Sequence, residues 1–168
     1  NLLYNNQPWQ TGFSETIIWQ INKATGYTGT TLLSQLHSGI QLNGRNIRNL
    51  CPVKGGSQIY GPDMYFLSNR NLDPSNDTIF LVHLTDTINA PGQQLTVQPL
   101  VSNIKYFAPA DAEQLGTANM LATNDARILG AIIENNKIQF VQNTMDTANG
   151  RSAFLHGIIT NPGTSPAV

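Results

Sequence analysis

Arg127-Ile-Leu-Gly-Ala-Ile-Ile-Glu134, Asn135-Asn136 and Lys137-Ile-Gln-Phe-Val-Gln-Asn143 follow one another without interruption. The first run is apolar and β-branched, and the last alternates apolar and polar side chains. The Asn pair between them suits a two-residue turn whose central positions need positive φ. The stretch predicts a β-hairpin. A polar loop, Thr144 to Arg151, leads on to Ser152-Ala-Phe-Leu-His-Gly-Ile-Ile159, a third apolar run. Three antiparallel strands in succession make a meander.

Working outward, period-two patterning also marks Thr16 to Asn22, Met64 to Asn69, Thr78 to Thr85 and Leu95 to Leu100 as strands. Only Thr30 to Leu36 and Ala110 to Leu121 have the pattern of a helical turn, so the chain reads as all-β. The meander also repeats. Sliding the chain by 74 residues lays Met64 to Thr85 on Ile138 to Ile159 without a gap, pairing Phe66 with Phe140, Leu67 with Val141, Phe80 with Phe154, Leu81 with Leu155 and Leu84 with Ile158. A weaker copy sets Ile17, Trp19 and Ile21 on Phe80, Val82 and Leu84.

Antiparallel meanders recurring every 60 to 75 residues predict stacked blades, each burying its apolar faces against neighbours. The expected fold is a partial β-propeller of two to three antiparallel blades, and the alternative is a β-sandwich. Residues 1–168 form one segment, with blades near 1–45 (partial), 46–100 and 101–160, and with 161–168 as a linker or the start of a further blade. A propeller closes with about four to eight blades. The chain is therefore expected to be part of something larger.

Composition narrows the function. Nine Lys and Arg against ten Asp and Glu give a net charge of -1, and only 11% of residues are charged. That balance lacks the basic footprint of a nucleic-acid binder, and no apolar run is long enough for direct membrane insertion as a helix. Neutral polar residues and frequent Gly and Pro suit an extracytoplasmic surface. Cys51 has no internal disulfide partner and reads as a buried thiol.

The stretch Asn124 to Asn143, followed by Gly150-Arg-Ser-Ala-Phe154, resembles a blade of large secreted or cell-surface β-propeller proteins of Bacteroidota, and Gly61-Pro-Asp-Met-Tyr-Phe-Leu-Ser-Asn-Arg70 is similar to another such blade. The resemblance implies cargo of type IX secretion, exposed outside the outer membrane. It also implies O-glycosylation at Asp-Ser/Thr triplets, for which Asp77-Thr78-Ile79, Asp86-Thr87-Ile88 and Asp146-Thr147-Ala148 offer Thr78, Thr87 and Thr147. Asn76-Asp77-Thr78 matches the N-glycosylation triplet as well.

The loops at Asn71-Leu-Asp73 and Thr144-Met-Asp146 look like degenerate Asp boxes of sialidase-type propellers, which are structural. A sialidase would need three arginines on one carboxylate and a Tyr-Glu pair. Arg45, Arg48, Arg70, Arg127 and Arg151 have no spacing that ties three to one site, and none of Glu15, Glu113 and Glu134 adjoins a Tyr. No catalytic residue is assigned. His37, His83 and His156 lack metal-ligand spacing, so neither metal nor cofactor is expected.

Asp125 and Arg127, two apart at the expected start of a strand, point to one face; they read first as an ion pair and second as ligand-binding candidates, with Asp63 and Arg70 of similar standing. Trp9, Trp19, Tyr60, Tyr65 and Tyr106 could stack on sugar rings, although most aromatics in alternating strands belong to the core. The expected role is a non-enzymatic scaffold or interaction module of a bacterial surface or secreted protein. Its partners are other blades of the same protein or a partner chain, or a surface protein or glycan. The alternative is a segment of a propeller glycoside hydrolase or a lectin-like glycan binder.

Overall fold

The computed structural model describes residues 2–3, 13–57 and 61–168; Trp9 and Tyr60 lie outside them. The elements are β1 (Leu2–Leu3), β2 (Phe13–Glu15), β3 (Ile18–Ile21), α1 (Lys23–Thr28), β4 (Ser34–His37), β5 (Gln41–Leu42), β6 (Arg45–Asn46), β7 (Cys51–Gly55), β8 (Met64–Asn69), β9 (Ser75–Leu84), β10 (Leu95–Phe107), β11 (Ala112–Glu113), β12 (Met120–Leu121), β13 (Ile128–Glu134), β14 (Lys137–Asp146) and β15 (Arg151–Thr160). The protein is all-β. The one helix among the described residues is capped by the Asn22 side chain and stopped by Gly29 at φ 69°. The helical turns expected at Thr30 to Leu36 and Ala110 to Leu121 are instead the strand β4 and the β11–β12 hairpin.

Seven strands make one curled sheet in the order β10-β9-β8-β7-β13-β14-β15, a half-barrel. It consists of two antiparallel meanders, β7 to β10 and β13 to β15, joined through their first strands. The predicted hairpin is present, with Asn135 and Asn136 at φ 49° and 56° and Glu134 opposite Lys137. The joint runs parallel, Val53 facing Ala131 and Gly55 facing Ile133. Beyond it, the Glu134 carboxylate accepts from the Ser57 N–H at 2.8 Å and the Ser57 hydroxyl at 2.6 Å. A second tie crosses the fold, where the buried Asn69 amide donates to Gln142 Oε1 at 2.9 Å and to the Ala126 carbonyl at 2.7 Å.

The two copies of the repeat differ by one residue of register. Leu67 faces Leu81 across β8–β9, whereas Val141 faces His156, not Leu155, across β14–β15. A slip of one residue turns a strand over. The gapless alignment therefore matches β9 to β15 face for face but sets β8 against β14 with opposite facing. Leu67 is buried in the half-barrel and its aligned residue Val141 lies outside, while Phe66 lies outside and Phe140 inside.

The concave face is closed by Leu67, Ile79, Leu81 and Leu100 from the first meander against Ile133, Ile138, Phe140 and Ile159 from the second. Cys51 is a free, buried thiol in this core, and burial raises its pKa. The convex face is treated differently in the two meanders. Over the first, Ile18, Ile40 and Ile47 from the N-terminal layer pack on Phe80, Val82 and Leu84. Over the second, Leu129, Ile132, Val141, Phe154 and Ile158 are exposed. The N-terminal layer also has a bare outer side, because β3 alternates Ile18 and Gln20 inward with Trp19 and Ile21 outward, joined by Leu36 of β4. The N-terminal layer and the second meander of the curled sheet thus each leave an apolar face exposed.

Candidate functional site

The most concentrated charge borders a cavity of about 420 Å³ lined by Phe13, Arg45, Arg48, Arg70, Asn71 and Asp73, among others. Asn43 and Gly44, both at positive φ, form the tight turn that carries Arg45, while Arg70 follows β8 directly. Packing of the N-terminal layer on the first meander brings these segments together. The Arg48 guanidinium lies 4.7 Å over the Phe13 ring and that of Arg70 lies 4.6 Å over Phe80. None of the three arginines is in an ion pair among the described residues. Burial lowers the Arg70 pKa and the neighbouring Arg45 and Arg48 charges lower it further, with Asp73 acting in the opposite sense. Spacing in the sequence ties no three arginines to one site; the packing of the N-terminal layer brings these three to one cavity.

Of the sequence candidates, Arg70, Asp125 and Arg127 are brought into one region. Asn71, in the cavity wall, donates to Asp125 Oδ2 at 2.8 Å. Behind it Asp125 is clamped by Arg127, whose Nε and Nη2 donate at 2.8 and 2.7 Å and whose backbone N–H donates at 3.0 Å. Burial alone would raise the Asp125 pKa; the Arg127 and Asn71 hydrogen bonds outweigh it and hold the carboxyl below its ordinary range. Asp125 and Arg127 thus face each other and support Asn71. Asp63 stands apart, at the opposite end of β8, accepting from the Asp86 N–H at 2.9 Å and lying 2.8 Å from His83 Nε2. Tyr65 stacks on that histidine with ring centroids 4.4 Å apart.

The loop residues Asp73 and Asp146 hold their own turns. Asn76 Nδ2 donates to Asp73 at 2.8 Å, and Asp146 accepts from the Ala148 N–H and Asn149 Nδ2 at 2.9 and 2.7 Å. Thr87 and Thr147 are exposed in loops, whereas Thr78 is half-buried within β9. Tyr106 is fully buried, its hydroxyl donating to the Thr78 carbonyl and accepting from the Arg70 N–H, so it is unavailable for stacking on a ligand. Trp19 is 60% exposed. Among the described residues no three His, Cys, Asp or Glu side chains are grouped to hold a metal ion, and no helix is long and apolar enough to cross a membrane.

Comparison of the chain with protein-family models, with curated proteins and with solved structures finds no match.

Proposed function

We propose that the protein is a non-enzymatic scaffold or interaction module, a partial propeller whose two open faces dock further β units of the same kind. One contrast carries this reading. Phe80 and Phe154 occupy equivalent, face-matched positions of the repeat, yet Phe80 is 2% exposed beneath the N-terminal layer and Phe154 is 80% exposed. Leu84 and Ile158 repeat the contrast, the first fully buried and the second not. An apolar sheet face covered in one copy and bare in the other marks where the next layer belongs. The occupant is another unit of this repeat, which for the isolated chain is a second copy. An extracytoplasmic setting is supported by the low charge and by exposed Asp-Thr triplets at Thr87 and Thr147.

Sedimentation of the chain over a range of concentrations tests the proposal. Self-association that Phe154→Asp abolishes, with the circular dichroism spectrum unchanged, is the expected result. A wild-type chain that stays monomeric at about 100 μM, a concentration at which an interface worth roughly 6 kcal/mol would be well populated, contradicts it.

A further inference from the structure

We propose that Arg45, Arg48 and Arg70 form a binding site for a doubly charged tetrahedral oxyanion, a phosphate group free or as a monoester. The site does not depend on the docking faces. Three guanidinium groups and one carboxylate, Asp73, line the cavity, and they leave two positive charges uncompensated in a chain whose net charge is -1. Arginines on a folded surface ordinarily sit beside carboxylates, as Arg127 does with Asp125 and Arg151 with Glu113. Arg45, Arg48 and Arg70 instead sit beside one another.

Repulsion between them is unfavourable unless an anion enters, and two charges match a dianion better than a carboxylate. The rings of Phe13 and Phe80 lie beneath Arg48 and Arg70, so two of the three forks are supported on one side while none of their N–H donors is taken by an acceptor among the described residues. Asp73 is held by Asn76, and the Asn71 amide is held by Asp125, so the wall behind the arginines is fixed. The cavity volume exceeds that of one phosphate group, which leaves room for the body of an ester.

Calorimetric titration with inorganic phosphate, glycerol phosphate and acetate at matched ionic strength tests the site. Saturable binding of inorganic phosphate or glycerol phosphate, at least tenfold tighter than acetate, is expected, and the tighter of the two tells whether the group is taken free or as an ester. R45Q and R48Q, both at exposed positions, should each weaken binding about tenfold, while R151Q, beside Glu113, should leave it unchanged. Absence of saturable binding, equal binding of acetate, or indifference to R45Q and R48Q overturns the proposal.

Discussion

Tyr106 shows how much a single side chain holds in this fold. Burial pushes its pKa up to about 12, and its hydroxyl ties the Arg70 N–H, at the end of β8, to the Thr78 carbonyl of β9. Tyr106→Phe leaves both groups without this partner and should cost about 1 to 3 kcal/mol in chemical denaturation. The pH dependence has a definite sign. The folded pKa lies above the unfolded value near 10, so the contribution is complete below about pH 10 and is lost as the pH rises toward 12. Stability of the wild type should fall across that window, and the Tyr106→Phe variant should fall less. A phenol absorbance that titrates in step with the exposed tyrosines would refute this. The sequence left Tyr106 between a core and a ligand-stacking role, because the expected strand ended at Leu100; β10 runs on to Phe107 with a slip between Val101 and Tyr106, and the ring turns into the core.

At the scale of elements, the hairpin β13–β14 was the most legible part of the chain, because Asn-Asn between alternating runs has one good backbone solution. The repeat was legible as topology but not as register. A gapless offset treats two hairpins as the same length, and a single added step between β14 and β15 reverses one strand. The parallel joint of β7 and β13 left no local signal, since its paired residues, such as Val53 and Ala131, are 78 residues apart. Gly157 belongs to this level too. It faces Phe140 across β14–β15, and the Phe140 ring lies where a Cβ would stand. Gly157→Ala should displace that ring from the half-barrel core and cost about 1 to 3 kcal/mol in thermal or urea unfolding. An unchanged midpoint would show that the ring moves freely.

For the whole molecule, the layering explains which site residues were within reach of the sequence. Asp125 and Arg127 do not share a strand face as expected, because β13 begins only at Ile128; they lie two residues apart in the segment before it, and their pairing was within reach of the sequence because it is local. Arg45, Arg48 and Arg70 meet only because Ile18, Ile40 and Ile47 fasten the N-terminal layer over Phe80, Val82 and Leu84, a contact between layers that no spacing encodes. The same layering leaves Trp19, Ile21 and Leu36 bare at one end and Leu129, Ile132, Phe154 and Ile158 bare at the other. Under the proposed docking, two different open faces would make the interface heterologous and head-to-tail, the kind that extends into a ring or a filament.

Mixing two chains, each spoiled at one face, tests that claim most directly. Trp19→Asp removes one face and Phe154→Asp the other, so each variant alone should sediment as a monomer. Their mixture should contain a one-to-one heterodimer and nothing larger, because only one intact pair of faces remains. Failure of the mixture to associate, or association of either variant with itself, would contradict stacking through two complementary ends.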